Sequence, residues 1–577
     1  MKKKVLPALI VTGLIILVVI IMGITALINK YTPTKKTEDL KEYFNISSDD
    51  EAALIVDNEL SDYKAKIIDD KVYVDYRFVH DSLNSRFYWD TNENVLLYTT
   101  ASDIISAAAD SNSYSVTKQT NDFGYPIVKA TSDSALIALD YVKQYSNITF
   151  KSYDDPARVV ITSKWDEIDS ATVSKSTQVR VKGGIKSPIL KQVKKNDTLT
   201  ILDSGDKWDK VATEDGIIGY IKSKAMSESK KTKLTNPDYE EETFTHIKKD
   251  KDICLAWNQV TSQSANSKVA QVISSTKGIN VMSPTWFYLN DNNGNLADIA
   301  SKDYVSYCHS QGIEVWGLFS NFENTDVDAA YVLTHTSTRT TLINQIMSAA
   351  FNYELDGVNI DFENITEAAY GDSYIEFIRE LAIKCHNNGI SLSVDVTVPA
   401  SFNKFFNRSD MANFADYIVI MGYDEHYKGS DAGSVSSIPW VTEGVEATLK
   451  EVPADQIILG MPFYTRIWEL TPKEDDDAVT DTEDQSKYTV ASQVYGMDAA
   501  AAQLATNNAT ASLDEESGQN YAEWSASNKL YKVWLEDSTS LEKRLKLVDD
   551  NKLAGAAFWK LGFENSSVWD TVIKYLD

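Results

Sequence analysis

From about Asp250 onward, short apolar runs alternate with stretches whose apolar positions recur every three or four residues. Eight of the runs have strand length: 253–260 (ICLAWNQV), 279–289, 313–320, 357–363, 390–398, 417–424, 456–464 and 554–562. Amphipathic helical segments fall between them, for example 336–351 and 373–386. Strands alternating with helices predict parallel βα units. Eight such units across about 325 residues predict an α/β fold, a closed (β/α)8 TIM barrel of enlarged size. A doubly wound sheet is the competing architecture, but no Gly-rich phosphate loop follows the first strand. The connection between Tyr464 and about Ser540 far exceeds the usual few residues. It carries aromatic-rich runs of its own, which predicts an α+β insertion over 465–540 beside a cleft.

Upstream the texture differs. Residues 178–226 consist of short alternating runs separated by Gly, Asn-Asp, Ser-Gly-Asp and Asp-Gly turn signals, the pattern of a small β-barrel. With VRV opening it, Trp208-Asp-Lys-Val at its middle and Gly219-Tyr-Ile-Lys-Ser closing it, the segment resembles a bacterial SH3-like domain, a module that often binds cell-wall peptides. Residues 71–100 read strand, helix, strand, turn, strand, and 135–163 echo that order. This duplicated α+β unit is loosely similar to the copper-amine-oxidase N-terminal-like module, without its copper ligands. At the N-terminus, Met1-Lys-Lys-Lys precedes a segment with no charge from Val5 to Ile28. A helix needs ~20 such residues to cross a bilayer, and the stretch is longer than the centre of a signal peptide and lacks a good cleavage site. The expected order is a transmembrane anchor at 1–30, an α+β module at 31–165, an SH3-like domain at 166–230 and a catalytic barrel at 245–577. The barrel is expected outside the cell, facing the wall.

The fourth strand, Asp356-Gly-Val-Asn-Ile-Asp-Phe-Glu363, places Val358, Ile360 and Phe362 on one face and Asn359, Asp361 and Glu363 on the other. In a barrel the polar set points inward and ends at the C-terminal mouth, where such enzymes build their sites. Asp361 and Glu363, two residues apart on one face, cannot both ionise cheaply, so one holds a proton near neutral pH. That suits a general acid. Asp356 reads as structural. The net charge of −28 leaves no basic footprint for nucleic acid. Three cysteines, Cys254, Cys308 and Cys385, cannot form a disulfide framework and read as buried thiols. No metal-ligand spacing occurs, and no cofactor is implied. Nothing in the sequence reports oligomeric state.

The row D356-x-x-N359-x-D361-x-E363 resembles the D-x-x-D-x-D-x-E signature of glycoside hydrolase family 18, the chitinase-like barrels. Met421-Gly-Tyr423-Asp424 resembles the family's Met-x-Tyr-Asp element, and Phe558-Trp559 the strand that carries a tryptophan beneath the sugar. Within the family the motifs look most like the bacterial spore-cortex and cell-wall branch. The resemblance implies that Glu363 is the proton donor, that Asp361 orients the substrate's N-acetyl group and that Tyr423 supports the acetamide as it attacks the anomeric carbon. It implies that Met421, Asp424 and Trp559 line the sugar subsite. Asn359 departs from the pattern by removing one charge from the row, which puts the rate and pH optimum in question.

Trp257, Trp286, Phe287, Tyr464 and Trp468 stand near strand ends as candidates for stacking on sugar or for core packing, and Arg466 as a candidate substrate contact. The expected activity is hydrolysis of β-linked N-acetylglucosamine glycans, with peptidoglycan foremost. A wall- or chitin-binding lectin on the same barrel is the rival, and a purely structural tether the third reading. Retention of Glu363 separates the first from the second.

Overall fold

The computed structural model describes residues 5–363, 365, 368–473 and 485–576; residues 474–484 of the expected insertion lie outside that range. The chain forms two units. One comprises Met1–Trp89, Ala107–Tyr114 and Asn121–Glu241, and the other Asp90–Ser106, Ser115–Thr120 and Glu242–Asp577.

The first unit opens with the helix Val5–Tyr31, of which Leu9–Tyr31 is long and apolar enough to cross a membrane. It continues into β-rich structure. One seven-stranded sheet places Glu51–Val56 parallel to Arg158–Thr162 and antiparallel to Glu59–Ile68. A second seven-stranded sheet is built from antiparallel pairs over 167–233.

In the second unit eight parallel strands close on themselves: Ile253–Asn258, Val281–Leu289, Glu314–Ser320, Gly357–Asp361, Ser391–Thr397, Tyr417–Met421, Ile457–Pro462 and Gly555–Trp559. Each pairs with the next in sequence, and the first pairs with the eighth. This is the expected TIM barrel. Alternation along each strand sorts the side chains. Val358, Ile360 and Phe362 join the apolar layer between strands and helices, where Phe362 stacks on Phe377 at 5.4 Å. Inside, Leu255, Trp316, Leu318, Tyr417 and Val419 fill the barrel. Trp316 lies flat against Tyr417 and passes so close to strand four that a Cβ on Gly357 would stand 2.5 Å from its ring. Glycine there lets the indole fill the floor, leaving the mouth as the open end.

Between strands seven and eight, the insertion is a five-stranded antiparallel sheet in the order 488–496, 464–472, 529–535, 519–526, 512–514, with the helix Met497–Thr506 against it.

The segment 90–106 serves the barrel in a way its distance in sequence hides. The helix Thr336–Tyr353 has no side-chain cap from its own N-cap residue, His335. Asp90 supplies one from 246 positions away, accepting from the Thr336 backbone N–H and from its hydroxyl, each at 2.7 Å. Nearby, Thr99 donates to the buried carboxylate of Glu376 at 2.9 Å. Replacing a capping carboxylate by alanine costs about 0.5–2 kcal/mol. Asp90→Ala is therefore expected to lower the unfolding free energy of the barrel by that amount, read as a lower denaturation midpoint at unchanged m, and an unchanged midpoint would deny Asp90 this role.

Candidate active site

The site grows out of strand four. Asn359, fully buried, uses every hydrogen-bonding position of its amide. Its Oδ1 accepts from Trp257 Nε1 and Ser283 Oγ, both at 2.9 Å. Its Nδ2 donates to Ser393 Oγ at 3.0 Å and to Asp395 Oδ1 at 2.7 Å. An indole N–H can only donate, so Trp257 fixes the amide orientation and aims the NH2 at Asp395.

Asp361 comes next along the same face. It is 7% exposed, and its Oδ1 is buried without a hydrogen-bond partner among the described residues. Desolvation, then the charges of Asp395, Glu363 and Glu323, raise its carboxyl well above the ordinary range. Asp395, on strand five, is raised for the same first reason, opposed by the hydrogen bond from Asn359. The departure at position 359 thus has a structural meaning. A neutral amide gives Asp395 a permanent donor where an acid would have to hold a proton.

This arrangement sets the outcome for Asn359→Asp. The new carboxyl would lie against Asp395; protonated it could still donate to Asp395 while accepting from Ser393 Oγ, and ionised it would donate to neither. An unmade buried hydrogen bond costs roughly 1–3 kcal/mol. Its folded pKa would be raised, so the variant should be close to wild type in stability at acid pH and lose stability as pH rises through that value. Chemical denaturation at several pH values reads this directly, and a deficit independent of pH would contradict it.

Glu363 stands at the mouth, with its side chain open to solvent. Asn321, at the end of strand three, clamps its backbone: Glu363 N donates to Asn321 Oδ1 and Asn321 Nδ2 donates to the Glu363 carbonyl, both at 2.9 Å. Desolvation by the surrounding mouth raises the Glu363 carboxyl despite its solvent access, and the charges of Asp424 and Glu323 add to the shift. Ser320 Oγ lies 2.7 and 2.6 Å from the two oxygens of Glu323.

Around this row stand the aromatics. Tyr423 lies edge-on to Trp257 at 6.4 Å and to Tyr464 at 6.2 Å, and Trp257 packs against Trp559 at 6.0 Å. Desolvation, then Asp361 and Asp395, push the Tyr423 phenol well up, so it stays a hydroxyl donor. The Tyr464 hydroxyl donates to Asp424 at 2.6 Å, and Arg466 Nη2 sits 3.6 Å from the same oxygen. Asp424 adopts a left-handed backbone, φ 61°, at the end of strand six, just beyond half-buried Met421.

Several expectations are corrected. Trp286 is fully buried, donates to Asn266 at 2.8 Å and packs edge-on to Tyr304 in the layer outside the barrel. A register shift between Thr285 and Phe287 lets neighbouring rings share the outer layer, so neither Trp286 nor Phe287 faces sugar. Trp257 is also buried, and its N–H is committed to Asn359; it underlies the site without offering a face. Trp468 is buried with its N–H on the Gly433 carbonyl. Sequence reading missed Asp395, Asn321 and Glu323. It also missed Phe322, Phe402 and Tyr427, large exposed rings just past strands three, five and six.

The pattern of Glycosyl hydrolases family 18 matches residues 217–564, and the chain belongs to that family. The uncharacterized glycosylase YvbX of Bacillus subtilis is 22% identical over 346 residues, 56% of this chain and 95% of that protein. The cortical fragment-lytic enzyme of Bacillus subtilis is 24% identical over 287 residues, 48% of this chain and 63% of that enzyme. Among solved structures, the Bacillus megaterium spore cortex-lytic enzyme SleL superposes with a TM-score of 0.49 at 19% identity, over 56% of this chain and 74% of that one.

Proposed function

We propose that the barrel hydrolyses β-linked glycans containing N-acetylglucosamine, with peptidoglycan as the natural polymer, by a retaining, substrate-assisted route. The observation that carries this reading is the buried Oδ1 of Asp361, without a partner among the described residues, set two residues below Glu363, whose carboxyl is raised by desolvation. A buried polar atom normally has a partner, and a substrate acetamide N–H supplies one. Asp361 then holds the acetamide so that its carbonyl oxygen attacks the anomeric carbon. Tyr423 donates to that oxygen and steadies it. Glu363 gives its proton to the glycosidic oxygen as the C–O bond breaks, and afterwards takes a proton from the water that opens the cyclic intermediate. The substrate supplies the nucleophile, so no second enzymic carboxylate is required across the bond. Met421, Asp424, Arg466 and Trp559 form the sugar-facing rim, Tyr464, buried behind it, holds Asp424 in place, and Phe322, Phe402 and Tyr427 extend it.

The name of the cortical fragment-lytic relative favours a wall-type glycan. Mass spectrometry of products from muropeptide polymer, chitin oligomers and a glycoprotein tests the assignment. Reducing-end release from N-acetylated substrates is expected, and binding without cleavage would leave the lectin. Glu323 offers a sharper check: if it were a nucleophile, Glu323→Gln would abolish turnover. Here it is expected to shift the pH profile and leave kcat within about tenfold.

The helix at the N-terminus is proposed as an uncleaved anchor holding the barrel outside the membrane, with the 166–230 domain as a wall-binding SH3-like module. Exported protein is therefore expected to keep its first 30 residues and to sediment with membranes, and protease applied to intact cells should remove the barrel. A mature N-terminus near Leu27 would contradict the anchor.

A further inference from the structure

The insertion sheet has two faces with different neighbours. Tyr464, Arg466 and Trp468 share one face, and their bonds to Asp424 and Gly433 seat it on the barrel loops. Ile467 and Glu469 point to the other face. There the helix Met497–Thr506 covers only part of the sheet, where Leu504 packs on Ile467, Ala522 and Val533. Beside that contact a recess of about 420 Å³ opens, within the roughly 300–1,000 Å³ typical of small-ligand sites.

The chemistry of this recess is specific. One wall is a row across four strands at a single register, Ala491, Glu469, Tyr531, Trp524. The rings of Trp524 and Tyr531 are parallel, 7° apart with centroids at 5.3 Å, and both stay half-buried. Glu469 is pinned by Lys529 at 2.6 Å and by the Tyr531 hydroxyl at 2.9 Å, which fixes the tyrosine ring. Ala491, next in the row, leaves the floor open. Gln493, Tyr495, the helix residue Gln503 and Asn507 just past the helix end also line it, and no hydrogen bond holds the Gln503 side-chain amide among the described residues. Amides offer both donors and acceptors. Among the described residues the one cation beside the recess, Lys529, is already paired with Glu469, and the chain carries a net charge of −28, so a phosphate-bearing ligand finds no free cation there. A stacked aromatic pair with one ring face left open, amides beside it and its neighbouring lysine held by Glu469, matches a neutral pyranose, whose C–H face packs on a ring and whose hydroxyl and acetamide groups meet amides.

We propose that this recess is a second saccharide site, outside the barrel, holding one or two sugar residues of the glycan. It rests on the hydrolase reading only for the choice of sugar. Its effect would be to keep the polymer near the mouth between cleavage events, by raising local concentration.

The test uses the full chain carrying Glu363→Gln, titrated with chitotetraose by calorimetry and by tryptophan fluorescence, with the mouth blocked by a thiazoline inhibitor. A residual binding event is expected. It should weaken at least tenfold in Trp524→Ala and in Ala491→Trp, which fills the floor without opening a cavity. With Glu363 restored, both variants should cleave a short soluble oligosaccharide within twofold of wild type yet retain less on insoluble wall. No residual binding, or binding indifferent to both substitutions, overturns the site. If wild type cleaves no glycan while the recess still binds, the hydrolase reading fails and the site stands.

Discussion

Glu363→Gln is expected to lower kcat by roughly 10²–10⁴-fold, the usual worth of positioned proton transfer, while glycan affinity stays near wild type. The amide preserves the shape of the side chain, and the Asn321 clamp binds only the backbone of residue 363, so the strand end keeps its geometry. What is lost is the proton. The raised carboxyl of the wild type holds it into the pH range where an ordinary glutamate has let it go. Activity should accordingly fall as pH rises through that raised value. Pre-steady-state kinetics with binding measured separately gives both numbers. A variant with near-native turnover would remove Glu363 from the chemistry.

Asp361→Asn carries the second large effect, and it acts in two directions. Turnover should drop by about 10²-fold or more, chiefly in kcat, because the contact to the acetamide strengthens as the acetamide attacks. Stability should move the other way at alkaline pH. The folded pKa of Asp361 is raised by desolvation and by Asp395, Glu363 and Glu323. A raised acid contributes stability that is complete below its unfolded value, near 3.9, and lost as pH rises through the folded value. The asparagine does not ionise, so the melting temperature of the variant should overtake wild type as pH increases. Thermal denaturation from acid to alkaline pH shows it, and parallel curves would mean that the Asp361 carboxyl is not raised in the folded protein.

Both predictions hang on alternation, which was the most legible feature of the chain. All eight strands stand where apolar runs predicted them, and the inward facing of Asn359 and Asp361 follows from a period of two. The same rule applied to strand five, Ser391-Leu-Ser-Val-Asp-Val-Thr397, would have found Asp395, since Ser393 and Asp395 occupy its inward positions. Trp286 misled because the register shift in strand two breaks that rule. Asn321 carried no signal: its role comes from two hydrogen bonds to a backbone 42 positions away. Asp90 is more remote still, capping a helix whose own N-cap residue is a histidine. Local pattern encodes which face a side chain takes, whereas partners brought together by topology leave no local trace. The Asp424–Tyr464–Arg466 cluster lies between these extremes, its members marked by strand ends but its joining visible only in the fold.

The most direct test of substrate assistance is the anomeric configuration of the first product. Proton NMR followed during cleavage of chitotetraose or soluble peptidoglycan strands should show the β anomer forming first, with the α anomer growing in only as mutarotation proceeds. An α anomer at the earliest times would mean single inversion by water, and would contradict the proposed roles of the acetamide, Asp361 and Glu363 together.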